Sequence, residues 1–504
     1  MVFRPVWGGL KGWNDMVKDL TVGKPGRLLL GFSIPLLLGN LFQQMYSMVD
    51  TIIVGQFVGV DALAAVGTTG PITFLILGFV MGLTGGFSVV AAQRFGAKDE
   101  DGLRHVVAMS AILCVVLTVV LTALSILFAM PLLQLMNTAP NIIGLSYEYI
   151  VIIFGGMFAT VLYNMLSGII RALGDSKTPL YFLILSSILN VVLDLVFIIN
   201  FHMGAAGAAW ATILSQLVSG ILCLVYMVKR FPILRFQKKD WNFRIGTCLL
   251  LMKIGSPMAF QFSITAIGCI AMQGAINSFG SDTTAAFTAA NKVESLSTQH
   301  MTALGTAIST YAGQNLGAGK MDRIREGLRK CMQIGIVMTI IGVLIILLFW
   351  RPLVGMFVSG ESSQVERVFA DAQTYLFTII IFYLPLLCVN VYRNVLQGMG
   401  EALVPLIGGV MELSMRVLVA VFAVNLGFQG VCLASPMAWV GAAAVLVPVY
   451  YVHIRRLCRM QKMYEGTEFA KGEKDSVSLG EEQISAKSGG TVANNAVQMQ
   501  EDLV

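Results

Sequence analysis

The chain has 504 residues, of which 56% are hydrophobic and only 12% are charged, and its mean hydropathy is +0.77. This balance excludes a soluble globular protein and indicates a polytopic membrane protein, in which a lone sheet is excluded because unpaired sheet edges are not tolerated in lipid. We assign the net charge of +6 to loops that face anionic headgroups, so it predicts contact with membrane lipids and no nucleic-acid partner.

Twelve apolar runs are long enough to cross a hydrocarbon core of about 30 Å as α-helices. The predicted spans are 28–54, 63–92, 105–130, 147–170, 178–200, 205–228, 248–279, 284–312, 327–350, 372–398, 403–425 and 430–453. The first six form a predicted N-lobe (28–228) and the last six a C-lobe (248–453), joined by the basic linker 229–247.

Lys and Arg are concentrated in alternate breaks between the spans, including the linker. The positive-inside rule then places both termini, 1–27 and 454–504, in the cytoplasm. Residues 1–27 contain no short apolar core with a cleavage site, so no removable signal peptide is predicted. From about residue 465 the tail is rich in Gly, Ser, Glu and Lys, which predicts that it is largely disordered.

Motifs for enzymatic chemistry are missing from the sequence. It contains no GxxxxGK[ST] loop, HExxH helix or GxSxG elbow, and its eight cysteines include no CxxC pair. We therefore expect neither a nucleotide-driven pump nor an enzyme, and no organic cofactor.

The two halves of the chain resemble each other. The aligned segments, at offsets of 221 to 226 residues, are "GVDALAA" (59–65) with "GSDTTAA" (280–286), "SVVAAQRFGAK" (88–98) with "STYAGQNLGAG" (309–319), "RALGDSKTP" (171–179) with "QGMGEALVP" (397–405), and "MGAAG" (203–207) with "LGFQG" (426–430). Each half has six spans and starts on the same side, so the sequence predicts two lobes related by a pseudo-two-fold axis along the membrane normal.

Two spans of the N-lobe carry carboxylates. The first span has a stripe with spacings of 3, 4 and 3, which puts its members on one helical face: Asn40, Gln43, Ser47 and Asp50. In the fifth span, Asn190 and Asp194 are an i, i+4 pair. An ionised side chain in the membrane costs about 2.5–3.5 kcal/mol, so it usually lines a cavity or has a partner.

Neither aspartate has a Lys or Arg in its own helix, and the repeat aligns Asp50 with Ala271 or Met272 and Asp194 with Ala420. Two carboxylates among amide and hydroxyl oxygens suit either Na⁺ or a proton. The structural alternative is that each aspartate only bonds a neighbouring helix.

Charges in the predicted C-lobe are fewer. Glu412 and Arg416 are an i, i+4 pair that we expect to neutralise each other. Asn291, Glu294 and Thr298 share one face of the eighth span, and Glu294 is the candidate substrate or coupling carboxylate of this lobe, with a purely structural role as the alternative.

Three segments carry a family resemblance: "IPLLLGNLFQQMYSMVDTIIVGQFVG" (34–59), "GIIRALGDSKTP" (168–179) and "NVVLDLVFI" (190–198). With the duplicated halves, they resemble the multidrug and toxic compound extrusion (MATE) family, and most closely its bacterial members of the staphylococcal multidrug efflux and DNA-damage-inducible F types. The resemblance implies a secondary antiporter in the bacterial plasma membrane that exports cationic or amphiphilic small molecules while Na⁺ or H⁺ enters. We expect it to act as a monomer.

The same resemblance implies site residues. Asp50, Asn190, Asp194 and Thr212 would bind the coupling cation, as metal ligands if it is Na⁺. Pro35 matches the proline at which the first helix bends in similar proteins. Asn40, Gln43 and Ser47 are secondary cavity candidates, together with Asn291 and Glu294.

One departure from the family concerns the seventh helix, which carries an essential acid in the NorM-like and eukaryotic branches. This chain has no acid between Ile254 and Ser281, so the prediction rests on the N-lobe carboxylates, with Glu294 as the alternative.

Two other functions are compatible with the spans. A lipid-linked oligosaccharide flippase of the same superfamily would be expected to have more spans or a strongly basic cavity, whereas the intramembrane cations here are few, namely Lys292 and Arg416. A cation channel or sensor could use the aspartates for selectivity, and its flux would need no counter-ion gradient.

Overall fold

The computed structural model describes residues 19–136, 138–358, 362–423 and 427–476, and this part of the chain is helical with no strand. The helices are α1 (Pro25–Phe57), α2 (Val60–Gly96), α3 (Glu100–Leu135), α4 (Ile143–Gly155), α5 (Met157–Ala172), α6 (Lys177–Leu195), α7 (Gly204–Arg230), α8 (Ile245–Asn277), α9 (Ser281–Gly317), α10 (Met321–Gly355), α11 (Ser362–Ile380), α12 (Tyr383–Gly398), α13 (Leu403–Ala423), α14 (Phe428–Cys432) and α15 (Ala434–Ser476). A π-helical turn, Val196–Asn200, follows α6 directly.

These helices form twelve membrane spans in two six-helix lobes, which confirms the predicted fold class. Among the described residues, eight spans are long and apolar enough to be recognised by length and composition. Two more are bent pairs, α4 with α5 at 45° and α11 with α12 at 54°. The remaining two are α9 and α13; α9 is the less apolar of them, with Asp282, Lys292 and Glu294 along its length.

The ends of the chain differ in part from the prediction. Helix α15 continues to Ser476, past residue 465, where the change in composition predicted disorder. Residues 1–18 and 477–504 lie outside the described residues, so a disordered tail stays a prediction there. The domain boundaries given above also stay predictions.

The backbone supports the internal repeat. Gly59 and Gly280, aligned by the sequence, precede α2 and α9 with φ of 117° and 98°. Gly174 and Gly400 follow α5 and α12 with φ of 92° and 85°. These positive angles are accessible to glycine at little cost, so the same turn chemistry starts and ends equivalent helices in both lobes.

The two lobes meet closely at one end of the bundle, between the C-terminal ends of α2 and α9. A Cβ atom built on Gly96 would lie 1.9 Å from the carbonyl oxygen of Gln314, and one built on Gly317 would lie 1.9 Å from that of Gln93. Each contact is the repeat counterpart of the other. We call this contact the interlobe seam; it exists only because both positions lack a side chain.

Two glutamine side chains reinforce the interlobe seam. Gln93 Nε2 donates to the Gly398 carbonyl at 3.0 Å, and Gln314 Nε2 donates to the Ala172 carbonyl at 2.8 Å. Both glutamines are buried and both bonds cross between the lobes. The lobes are therefore closed at this end in the structure.

The linker packs on the same end of the N-lobe. Arg104, near the start of α3, donates to the Ile233 carbonyl at 3.1 Å and forms an ion pair with the buried Asp240 at 3.6 Å. The basic residues of the linker thus lie at the end of the bundle closed by the interlobe seam.

Candidate functional site

A central cavity of about 550 Å³ lies between the lobes. Asn40 and Gln43 of the predicted stripe line it, as does Pro35. Among its described lining residues, the charged ones are Arg171 and Arg393, and none is Asp or Glu. The carboxylates Asp50 and Asp194 therefore lie behind the side chains that line the central cavity and do not line it themselves.

Helix α1 connects the cavity to those carboxylates. It is one helix from Pro25 to Phe57 that contains the buried Pro35, and Pro257 occupies the corresponding place in α8. Because proline removes a backbone hydrogen bond, Pro35 is a weak point in the helix that carries both cavity residues and Asp50. Bending at Pro35 stays a prediction.

The two aspartates of the N-lobe lie together. The carboxyl group of Asp50 on α1 is in hydrogen-bonding contact with that of Asp194 on α6. Asp194 is completely buried, and the π-helical turn begins two residues after it. Such turns often occur next to functional residues, because they redirect a side chain without breaking the helix.

Asn190 and Thr212 complete this group. With the Asn190 amide oriented by its neighbours, its nitrogen donates to Asp194 Oδ2 at 3.1 Å and its oxygen accepts from the Thr212 backbone N–H at 3.3 Å. The Thr212 side chain also forms a hydrogen bond with Tyr46, which lines the central cavity. The structure thus brings together the four residues Asp50, Asn190, Asp194 and Thr212.

One oxygen of each aspartate has no hydrogen-bond partner. Asp50 Oδ1 and Asp194 Oδ1 are both buried and unpartnered in the described structure. Two adjacent carboxylates away from water remain ionised together only if a cation lies with them; otherwise one of the two binds a proton. The pair, together with amide and hydroxyl oxygens, has the donor atoms that either H⁺ or Na⁺ would need.

Ser47 is placed differently from the rest of its stripe. Its residue is exposed, and its backbone carbonyl accepts a hydrogen bond from Thr51 Oγ1 at 2.8 Å. The structure assigns it no contact with Asp50 or Asp194, and its predicted cavity role stays a prediction.

The candidates of the C-lobe lie in a separate cavity of about 350 Å³, which we call the C-lobe cavity. Asn291, Glu294 and Thr298 all line it, as their shared helical face predicts. Glu294 Oε2 accepts a hydrogen bond from the Tyr375 hydroxyl at 2.6 Å. Glu294 is therefore not part of the N-lobe carboxylate group.

The predicted neutralisation of Glu412 by Arg416 is wrong. Glu412 pairs instead with Arg393 of α12, and both side chains are largely buried. Arg416 lines the C-lobe cavity, where its Nη1 lies 3.7 Å from Cys269 Sγ. The i, i+4 spacing permits a pair within α13, but the guanidinium of a neighbouring helix takes the carboxylate.

Sequence reasoning missed three residues of these sites: Tyr46, Tyr375 and Arg393. Tyr46 could have been found, because it precedes Asp50 by one helical turn. Arg393 and Tyr375 had no such local signal, because their partners lie on other helices.

The sequence pattern of the MatE family matches residues 35–196 and again 257–424, one match in each lobe. The chain belongs to the MatE family. Among its relatives, this MatE protein is 32% identical to "Probable multidrug resistance protein YoeA" of Bacillus subtilis, over 66% of the chain and 73% of the relative. It is 31% identical to "Probable multidrug resistance protein YpnP" of the same organism, over 84% of the chain and 94% of the relative.

The fold of this MatE protein is also found in solved structures. A MOP superfamily transporter from Pyrococcus furiosus, in which the reverse polarity of the binding pocket suggests a different function, superimposes with a TM-score of 0.82 at 27% identity. The alignment covers 88% of this chain and 98% of that one. Membership of this family makes the chain a multi-pass membrane protein.

Proposed function

We propose that this MatE protein is a secondary active exporter that moves cationic or amphiphilic organic molecules out of the cell in exchange for Na⁺ or H⁺. The names of its relatives support multidrug export. The observation that carries the proposed coupling is the contact between Asp50 and Asp194, each with a buried, unpartnered oxygen. Such a pair is stabilised by a bound cation or proton.

Coupling would act through α1. The same helix presents Asn40 and Gln43 to the central cavity and Asp50 to the carboxylate pair. A cation bound between Asp50 and Asp194 lowers the cost of burying both groups, so it favours whichever packing of α1 closes around them. Because the same helix lines the central cavity, a bound cation changes the affinity for substrate there, and bound substrate changes the affinity for the cation equally.

Alternating access would use the interlobe seam. If the positive-inside rule holds, the end closed by Gln93 and Gln314 is cytoplasmic, and the structure corresponds to an outward-facing state. Opening the seam would expose the central cavity to the cytoplasm. We further propose that the protein acts as a monomer in the bacterial plasma membrane, surrounded by lipid, with both termini inside.

The central cavity supports an amphiphilic substrate. Amide and hydroxyl groups line it beside the rings of Phe74 and Phe262 and the side chain of Met81. Aromatic faces attract organic cations, and the apolar side chains accommodate the body of a molecule without strict shape requirements.

The alternative functions have less support. A flippase for an anionic lipid-linked sugar would need a strongly basic cavity, whereas Arg393, one of the two arginines of the lining, is neutralised by Glu412. A channel would need a continuous path, whereas the interlobe seam closes one end of the cavity. We also propose that the protein is not an enzyme.

The test uses purified protein in liposomes with ethidium as the reporter, first under a Na⁺ gradient alone and then under a pH gradient alone. We expect one gradient to drive ethidium transport in the wild type and neither to drive it in Asp50→Asn or Asp194→Asn. Asp61→Asn is the matched control, since Asp61 is an exposed carboxylate at the start of α2.

Wild-type transport by Asp50→Asn and by Asp194→Asn would contradict the proposed coupling. Fast ethidium flux with no gradient of Na⁺ or H⁺ would indicate a channel. Gradient-independent movement of a labelled lipid-linked sugar, with no ethidium transport, would indicate a flippase.

A further inference from the structure

We propose that the C-lobe cavity is a binding site for small zwitterions, in which Arg416 binds the anionic group and Glu294 the cationic group. As a substrate site for the exporter, this inference rests on the proposed function. Binding itself needs no gradient and no carboxylate pair in the N-lobe, so the two proposals can be tested separately.

The C-lobe cavity can be reached from the central cavity. Thr302 of α9 and Asn390 of α12 line both cavities, so the two spaces adjoin at these residues. The volume of about 350 Å³ is enough for a molecule the size of an aromatic amino acid. A ligand that enters between the lobes therefore has a second chamber available to it.

Arg416 is buried and has no ion pair at contact distance in the described part of the chain, although Glu294 acts on it electrostatically across the same cavity. Its residue is only 7% exposed, its Nε has no hydrogen-bond partner, and its guanidinium forms no ion pair within the described part of the chain. The carboxylate one turn away, Glu412, is occupied by Arg393. A buried charge without a carboxylate in direct contact is costly, and a guanidinium suits a carboxylate or phosphate because it can donate two parallel hydrogen bonds.

Glu294 provides the opposite charge in the same cavity. Its carboxylate accepts a hydrogen bond from Tyr375, and this ring packs edge-on against Phe287 at 5.0 Å. These contacts hold the carboxylate in place on the wall. Glu294 and Arg416 interact electrostatically across the cavity, but the described residues show no direct ion pair between them, so each keeps donor or acceptor capacity for a ligand between them.

Comparison with the N-lobe indicates that this cavity is not a second cation site. The repeat places Arg416 where Asn190 lies, Met272 where Asp50 lies, and Ser435 where Thr212 lies. One half of the duplication thus has two carboxylates, and the other has a fixed guanidinium and one carboxylate. The guanidinium would repel a small inorganic cation, whereas a zwitterion satisfies both charges.

The uncharged walls of the C-lobe cavity indicate the chemistry of the rest of the ligand. Phe287, Trp439, Leu386 and Met272 line the cavity with apolar and aromatic surface. A molecule that carries a carboxylate and an ammonium group on an aromatic body therefore matches the charges and the walls together.

The test measures binding by calorimetry to the full-length protein in lipid nanodiscs with three probes of similar size. They are tryptophan, its methyl ester, which lacks the anionic charge, and indole-3-propionate, which lacks the cationic charge. We expect tryptophan to bind at least about tenfold more tightly than either of the others, since each charged hydrogen-bonded contact contributes about 1.5–3 kcal/mol.

Two substitutions assign the charges. Arg416→Gln should remove the preference for tryptophan over its methyl ester, and Glu294→Gln should remove the preference over indole-3-propionate. Lys292→Gln is the matched control, because Lys292 is an exposed cation on α9 that does not line the cavity. If Arg416→Gln fails to fold, the double variant Arg416→Gln/Glu294→Gln removes both charges at once and should bind all three probes equally weakly.

Equal affinity of the wild type for tryptophan and its methyl ester would overturn the proposal, as would no measurable binding of any probe. Asp50→Asn should retain the preference for tryptophan. Loss of ethidium transport in that variant with intact tryptophan binding would therefore separate this site from the coupling site.

Discussion

The two lobes have the same helices in the same order but opposite charge chemistry at equivalent places. In the N-lobe, Asp50 and Asp194 share a contact, and no cationic side chain lies beside them among the residues that the structure describes. In the C-lobe, every buried acid faces a hydroxyl or an arginine, as with Glu294 and Tyr375 and with Glu412 and Arg393, among the described residues. The two halves of the duplication thus share a backbone but differ in charge. The N-lobe has a pair of carboxyl groups, whereas the C-lobe has arginine side chains close to its acids.

The largest expected effect comes from giving the N-lobe the cation of the C-lobe. Asn190→Arg places a guanidinium beside Asp194, where it would fill the position of the coupling ion permanently. We expect ethidium transport in liposomes to fall to the level of protein-free liposomes under both gradients. Asn190→Ala, the control, removes the hydrogen bonds to Asp194 and Thr212 but adds no charge, so transport should be reduced yet stay measurable. Normal transport by Asn190→Arg would show that the charge difference between the lobes is unimportant.

Removal of a carboxylate should destabilise the protein in the C-lobe but not in the N-lobe. Glu412→Gln leaves Arg393 buried without its partner, so we expect the free energy of unfolding to fall by about 3–5 kcal/mol. Asp50→Asn keeps a side chain that can hydrogen-bond Asp194 and removes one of two adjacent carboxyl groups, so it should leave that free energy about unchanged. Denaturant unfolding of both variants in the same detergent measures the difference. A similar loss in both would contradict the comparison.

The interlobe seam should tolerate no added methyl group. Gly96→Ala directs a Cβ into the backbone of Gln314, and overpacking of this kind costs about 1–3 kcal/mol. Thermal unfolding of the purified protein should show a lower midpoint. Gly67→Ala is the control on the same helix, because a Cβ there meets nothing within 4 Å, and alanine should leave the midpoint unchanged or higher. A lower midpoint in both variants would mean that the seam is not the cause.

The smallest effect concerns the hydroxyl that holds Glu294. Tyr375→Phe removes one hydrogen bond to a buried carboxylate, and we expect a loss of about 1–3 kcal/mol in the free energy of unfolding. In the Glu294→Gln background the same change should cost less, since the charged acceptor is gone. The double-mutant cycle isolates this coupling. An equal cost in both backgrounds would assign the effect to ring packing against Phe287.

Much of the fold could be predicted from the sequence, because long apolar runs and turn glycines are local signals. The periods of 3 and 4 residues also placed Asn40, Gln43 and Asp50 on the inward side of α1, and the i, i+4 spacing placed Asn190 beside Asp194. The stripe included Ser47 without a structural counterpart, since helical spacing defines a face about 100° wide and not a contact.

The sequence by itself predicted the twelve spans and the duplication from hydropathy and similarity along the chain, and periodicity together with the family resemblance pointed to the four N-lobe residues that the structure brings together. Only the tertiary structure decided the charge partners. Arg393 lies 19 residues from Glu412, and Tyr375 lies 81 residues from Glu294. By helical spacing alone, Arg416 is an equally good partner for Glu412. The packing of α12 against α13 instead pairs Glu412 with Arg393, and Arg416 lines the C-lobe cavity.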